Sequence, residues 1–419
     1  MKYLIVGGSA AGISAARTIR AYDKSGDITV VTEENYKPYG RPLISYVLKG
    51  KVKLENTGYV KESFFEDNNI NFVSGKKVVD VDINSKTVKL CDDSALEFDK
   101  LLIATGSVPF VPPVENAEGK SNIYTFLDMA SSEAIKDYVT PDMNAVVIGG
   151  GLIGMKAAEG LIAKCKSVTV LELADRILPT ILDKTAGEMM SAHVLESGIV
   201  CRTGDTAVKV NGEDKVESLT LKSGETIPCD ILIMAVGVRP NTAVAEAAGC
   251  EVNRGIIVDN TMKTSVDDVY AAGDCVVTHN ILDGSNRIIA LWPNAVEQGK
   301  VAGAAMTGNT IPYQGGYAMN AIDLFDLHVL TAGVIGTEEE GYDVSITCDG
   351  ENYRRFCMKD GVLKGYMLIG DISRGGVYTT LIKRAIPLES LAGEYKDAPE
   401  YLLIPKDVRD MMIYGRAAK

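Results

Sequence analysis

This chain lacks the residue spacings of a metal or redox-thiol protein. Its eight cysteines form no CxxC or CxxxxC pair, and the nearest two, Cys348 and Cys357, stand nine apart. Iron–sulfur and zinc ligand patterns are therefore missing. No cysteine precedes Cys91, and histidine is confined to His193, His279 and His328. His193 falls in the mixed-polarity stretch AGEMMSAHVLESGI and reads as an ordinary helix residue, so no metal site and no Ser–His–Asp or Cys–His centre is expected. An excess of positive charge is also missing. Lys and Arg total 43 against 56 Asp and Glu, a net charge of −13. That argues against nucleic acid, which needs a basic footprint, and against an anionic membrane surface. No apolar run approaches the roughly 18–20 residues of a membrane span. The opening MKYLIVGG is broken by glycine too early for a signal peptide, so a cytoplasmic location is expected.

Glycine, by contrast, is abundant, at 41 of 419 residues, and two glycine clusters share one design. Residues 3–12 read YLIVGGSAAG and residues 145–154 read AVVIGGGLIG. Each is an apolar strand-like run that stops at glycine and flows into a helix-like stretch. Each is followed by a second strand pattern ending in acid: Glu33 and Glu34 after the first, Glu172 after the second. Glycine permits the tight turn and the close approach of a phosphate, and the helix start supplies free N–H groups for the anion. The acid some twenty residues on accepts hydrogen bonds from a ribose diol. The second cluster has all three glycines, Gly149, Gly151 and Gly154; the first has Gly7 and Gly12 with Ser9 between. Two such units in one chain imply that two dinucleotides meet, and dinucleotides that meet usually exchange a hydride. An acid at Glu172 repels a 2′-phosphate, which favours NADH over NADPH, although Arg176 lies four residues on. Glu33 and Glu34 are neighbours on a strand end and point to opposite faces, so either is a candidate for the first ribose.

Between and after the two units the texture changes. Residues 36–50, YKPYGRPLISYVLKG, read as an ordered loop entering a short helix, and 107–122 is Pro-rich and linker-like. Residues 290–308, ALWPNAVEQGKVAGAAMTG, read as a helix with a Pro start. From about 315 onward short alternating patterns predict a small antiparallel sheet.

These motifs resemble the FAD-dependent pyridine nucleotide–disulphide oxidoreductase superfamily over nearly the whole chain. The resemblance rests on GGSAAG, on ATG after LLI, on GGGLIG, on AVGVRPN and on VYAAGDC. It implies an α/β fold with two Rossmann-like dinucleotide-binding domains, the NAD domain inserted into the FAD domain, and a small α+β C-terminal interface domain. The implied boundaries are 1–110 and 245–314 for the FAD domain, 111–244 for the NAD(H) domain and 315–419 for the interface domain. FAD contacts would come from Gly7, Ser9, Ala11, Gly12, Glu33 or Glu34, Arg41, Pro42, Ala104, Thr105, Gly106, Gly273, Asp274, Trp292 and Ala295. In such proteins the aspartate of the AAGD segment, here Asp274, binds the ribityl chain. NAD(H) contacts would come from Gly149, Gly151, Ile153, Gly154, Glu172 and Gly237. The loop PYGRPLIS, the stretch LWPNAVEQGKVAG and the segment GDISRGGVYTTLIKRAIPL look most like NADH–rubredoxin and ferredoxin reductases and the flavin portion of nitrite reductases.

Two departures sharpen the reading. Disulphide reductases of the superfamily carry CxxxxC after the first unit, and peroxidases and CoA-disulphide reductases carry one cysteine near the position of Pro42 and Leu43. Here that region has none, so electrons must leave the flavin directly. Relatives also carry a glutamate beside nicotinamide and flavin where this chain has Lys156, and many pair it with a lysine where this chain has Tyr46. Lys156 and Tyr46 are the catalytic candidates. The expected activity is transfer of electrons from NADH through FAD to a small iron–sulfur protein, rubredoxin, ferredoxin or an associated redox subunit. Alternatives are an NADH oxidase or diaphorase using oxygen or a small organic acceptor, and a non-catalytic flavin-binding redox sensor. A homodimer is left open. Residues 351–419 hold 12 Lys and Arg against 9 Asp and Glu, a local positive balance that would suit an acidic electron carrier.

Overall fold

The computed structural model describes residues 1–390, and the chain falls into two compact units. The first comprises residues 1–112, 125–138 and 236–316; the second comprises 113–124, 139–235 and, of the described residues, 317–390.

In the first unit a five-stranded parallel sheet runs in the order Val269–Ala271, Lys100–Ile103, Lys2–Val6, Asp27–Val31, Ile70–Val73. Its central strand, KYLIV, is buried from Tyr3 to Val6, as a strand covered on both faces must be. The helix Ala10–Tyr22 follows the first glycine cluster, and the helix Trp292–Met306 lies against it. Their contact is made by backbone. A Cβ on Gly299 would meet the carbonyl oxygen of Ala11 at 2.1 Å, and one on Gly303 would meet that of Ala15 at 2.6 Å. Ser14 fixes the same crossing by donating to the carbonyl of Val296 at 2.7 Å. A small antiparallel sheet, Val78–Asp82, Thr87–Leu90 and Ala95–Glu97, flanks the unit.

In the second unit the parallel strands Ile199–Thr203, Ser167–Glu172, Asn144–Ile148 and Ile231–Met234 repeat the same architecture, with the helix Leu152–Leu161 after the second glycine cluster. The C-terminal part is a five-stranded antiparallel sheet in the order Met319–Leu324, Leu327–Gly333, Val362–Ile369, Tyr353–Lys359, Asp343–Cys348. The helix Gly375–Arg384 packs on it, and Phe356, Tyr366 and Tyr378 form an aromatic group between them. Asp183 ties this sheet to the nucleotide half of the unit: it caps the helix Lys184–Glu196 through the amide of Ala186 and accepts from Tyr353 Oη and Arg355 Nη1.

Residues 125–138 belong to the first unit, between segments of the second. The segment read as a Pro-rich linker is partly sheet: Ser107–Pro109 pairs antiparallel with Val238–Pro240. Proline survives there because a two-stranded ribbon leaves one edge of each strand unpaired. The last 29 residues of the expected interface domain, and with them part of the 351–419 charge balance, lie outside the described residues.

Gly299→Ala should destabilise the first unit by about 1–3 kcal/mol, because its new methyl group collides with backbone that cannot rotate aside. Gly376→Ala, where a Cβ meets nothing within 4 Å on an exposed helical turn, should be neutral or stabilising by up to about 1 kcal/mol. Denaturant melts of both variants check the contrast.

Candidate dinucleotide sites

The first glycine turn is built by geometry that side chains would forbid. Gly7 has φ of +122° and donates its N–H to Val31 O at 2.8 Å. A Cβ on Gly12 would lie 1.9 Å from the carbonyl oxygen of Gly7, so the helix can begin this close to the strand only with glycine there. Ser9 is the N-cap, its hydroxyl makes no capping bond, and no acid stands in the first turn. The N–H groups of that turn are left to an external anion.

Around this turn the structure gathers most of the predicted first-site residues. Glu34 accepts from Tyr39 Oη and from Arg41, whose other nitrogen donates to Leu127 O at 3.0 Å. Glu33 is exposed and pairs with Lys77 at 3.2 Å. Pro42 is exposed, and Tyr46 is half-buried in the short helix Ile44–Lys49. Ala104, Thr105 and Gly106 end the strand Lys100–Ile103 and meet the segment after Gly237: Thr105 donates to Asn241 O at 2.6 Å, and Asn241 N–H donates to Gly106 O at 2.9 Å. Gly273, at φ +94°, leads into Asp274 and sits against Ala11 and Ala295. The Asp274 carboxyl has no hydrogen bond or ion pair among the described residues. Burial raises it above the usual carboxylate range, and the charge of Arg41 opposes that rise. Trp292 opens the helix Trp292–Met306 and meets Tyr59 edge-on, with ring centroids 5.0 Å apart.

The second turn copies the first. Gly149 has φ of +109°, and a Cβ on Gly154 would lie 1.9 Å from Gly149 O. Gly151 is the N-cap of Leu152–Leu161, without a side-chain cap or an acid in the first turn. A Cβ on Gly151 would meet nothing within 4 Å, so open space faces the helix start. Ile153 is the second residue of that helix. Glu172 is held across the turn: Oε2 accepts from Gly150 N–H at 2.7 Å and Oε1 from Ala174 N–H at 2.8 Å. Arg176 is committed to its own loop, bonding Leu182 O at 3.0 Å and Asp175 at 2.6 Å. Lys156 is paired with Glu159, which is only 2% exposed, and also donates to Asp323 O at 3.0 Å.

A family model described as pyridine nucleotide-disulphide oxidoreductase matches residues 1–299. The chain belongs to that family. The epsilon subunit of NADH-dependent phenylglyoxylate dehydrogenase from Aromatoleum evansii is 31% identical over 404 residues, 95% of each protein. The NAD(P)H nitrite reductase of Bacillus subtilis strain 168 is 32% identical over 384 residues, which is 91% of this chain but 47% of that one. The chain thus spans about half the length of one relative and nearly all of the other. Among solved structures, an NAD-dependent persulfide reductase from A. fulgidus is 29% identical with a TM-score of 0.85, covering 99% of this chain and 83% of that one.

As a member of this family the oxidoreductase uses FAD and NAD(H), and its own residues fit both. The first turn offers an uncapped helix start, and, among the described residues, the carboxyl of Asp274 and the buried hydroxyl of Tyr59 make no hydrogen bond. The second offers an uncapped helix start, open space at Gly151 and an oriented carboxylate at Glu172. Two contributors escaped sequence reading. Gln298, 1% exposed, accepts from Gly273 N–H at 2.8 Å and so fixes the backbone before Asp274. A polar residue inside the otherwise small and apolar face of that helix was the available signal. Tyr59 carried no pattern signal, because its place beside Trp292 is set by the fold.

Glu172→Ala should lower the preference for NADH over NADPH about ten- to a hundredfold, the loss of one charge-assisted hydrogen bond. The ratio of the two affinities isolates this effect, since any slackening of the Gly150 turn acts on both nucleotides alike. An unchanged ratio would remove Glu172 from the ribose site. Asp274→Ala should purify with little yellow colour and rebind FAD weakly in a fluorescence titration; full flavin occupancy would show that the carboxyl does not anchor the cofactor.

Proposed function

We propose that this protein oxidises NADH and passes the electrons through FAD to a small iron–sulfur protein, rubredoxin or ferredoxin, or to an associated redox subunit. The observation that carries the reading is the pair of glycine turns, each at an uncapped helix start, in a chain with no cysteine before Cys91. A flavin-side thiol relay has no residue to use. Cys275, next to Asp274 in sequence, is fully buried; its thiol donates to Ala272 O at 3.4 Å and is pushed up to about 11 by burial, far from a reactive thiolate. The epsilon-subunit relative, matched over 95% of both chains, supports a partner that is itself part of an assembly.

The proposed division of labour is among three domains. Residues 1–110 and 245–314 form the proposed FAD domain, 111–244 the NAD(H) domain, and 315–419 an interface domain. The amides at Ser9, Ala11 and Gly12 hold one pyrophosphate, and those at Gly151, Ile153 and Gly154 the other. Glu33 or Glu34 and Glu172 take the two ribose diols. Asp274, backed by Gln298, holds the ribityl chain, while Arg41, Pro42, Tyr46, Thr105, Trp292 and Ala295 frame the flavin. FAD, when bound, accepts a hydride and releases electrons singly. The chain's part is to orient the two cofactors and to exclude water, and no general acid or base is required of it. Among the described residues no helix is long and apolar enough to cross a membrane.

Anaerobic rapid mixing tests the reading. NADH should bleach the bound flavin, and an oxidised rubredoxin or ferredoxin should restore its colour much faster than air does. No bleaching would defeat NADH oxidation, and faster recovery with oxygen would favour an oxidase. Treatment with iodoacetamide, which reaches exposed Cys91 and Cys348, should leave electron transfer to a dye intact. Inactivation that NADH accelerates and that tracks one modified cysteine would restore a thiol relay.

A further inference from the structure

The helix of the second glycine turn is gripped by the C-terminal sheet of its own unit. The strands Met319–Leu324 and Leu327–Gly333 of the C-terminal sheet are joined by only two residues, Phe325 and Asp326. Both have positive φ, +52° and +67°. Such two-residue turns favour Asn-Gly, and a bulky side chain there is strained. Strain of this kind persists only where the surroundings over-determine the backbone.

The surroundings are visible. Phe325 N–H donates to Glu159 Oε1 at 3.2 Å. The carbonyl of Phe325 meets His193 Nε2 at 3.0 Å, and because a carbonyl only accepts, that nitrogen carries the proton. Lys156 Nζ donates to Asp323 O at 3.0 Å while paired with Glu159. Inside the hairpin, His328 Nδ1 lies 3.0 Å from Asp323. Both backbone groups of Phe325, and the carbonyl two residues before it, are therefore bound by side chains from two helices of the nucleotide half, Leu152–Leu161 and Lys184–Glu196.

We propose that Lys156, Glu159 and His193 form a clamp through which the C-terminal sheet holds the helix of the second glycine turn, and that Glu159 is its positioning residue for bound NADH. The inference rests on the reading of this protein as an NADH oxidiser. Lys156 stands three residues before Glu159, and its ammonium is neutralised by that carboxylate. Its contribution is accordingly mechanical: it fixes where the helix start presents the nucleotide, which governs how closely the reacting atoms approach. Glu159 serves both arms of the clamp, one oxygen on Lys156 and the other on the strained turn.

The test uses the FAD-loaded protein with Glu159→Gln and, as the milder change at a half-buried position, His193→Ala. Deuterium exchange should rise together in residues 152–161 and 319–333 in both variants. The rate of flavin bleaching by NADH should fall about tenfold, while the flavin midpoint potential stays at its wild-type value. Should Glu159→Gln fail to fold, His193→Ala carries the same comparison. Exchange that rises in the hairpin alone, with the helix as in wild type, overturns the clamp. A midpoint potential that shifts along with the rate overturns it too, since that is the mark of a charge acting on the flavin. A wild-type protein that NADH does not reduce would instead defeat the functional reading, while the exchange pattern would still report on the clamp.

Discussion

Each nucleotide turn depends on a helix that begins within backbone contact of the strand before it. Hypothetical Cβ atoms on Gly12 and Gly154 would both lie 1.9 Å from a carbonyl oxygen, so the approach exists only because those atoms are absent. The closeness aims the first helical N–H groups at the space beyond the strand end, and neither helix start is capped by a side chain. The chain thereby leaves polar groups without internal partners at two equivalent places. Such helix starts favour binding of an external anion. Much of the remaining architecture serves these two points: the central strands end at them, and the acids Glu34 and Glu172 are oriented by neighbouring donors rather than left to swing.

The same economy governs the first unit's helix pair. Gly299 and Gly303 let Trp292–Met306 lie directly on Ala10–Tyr22, which brings Ala295 and the Gly273 turn against Ala11. Gln298 then reaches Gly273 N–H. A helix–helix contact made by absent side chains therefore places the aspartate that follows, and the carboxyl of Asp274 makes no hydrogen bond or ion pair among the described residues.

The second unit solves a different problem. A nucleotide helix on a parallel sheet is supported along one side only. Here the C-terminal sheet supplies a second support through residues of opposite charge and a strained turn, and through Asp183, which caps one helix while accepting from Tyr353 and Arg355 of the sheet. Buried ionic groups hold such contacts in one register, because any other register leaves a charge unpaired.

The sequence by itself determined the architecture and the two glycine turns, because glycine turns, apolar strands and terminal acids are local signals: φ, close approach and strand burial are written in consecutive residues. The parallel cores at Lys2–Val6 and Asn144–Ile148, the helix opening at Trp292 and the antiparallel C-terminal sheet were all legible in this way. Tertiary structure alone decided what depends on residues distant in the chain. It showed that Glu34 is held by Tyr39 and Arg41 while Glu33 faces outward, that Arg176 is bound within its own loop, and that the stretch after Gly106 pairs with the stretch after Gly237. It also turned Lys156 toward Glu159 and the carbonyl of Asp323, a partner 167 residues away. No periodicity encodes such pairs, since each partner reads as an ordinary polar residue until the fold brings the two together.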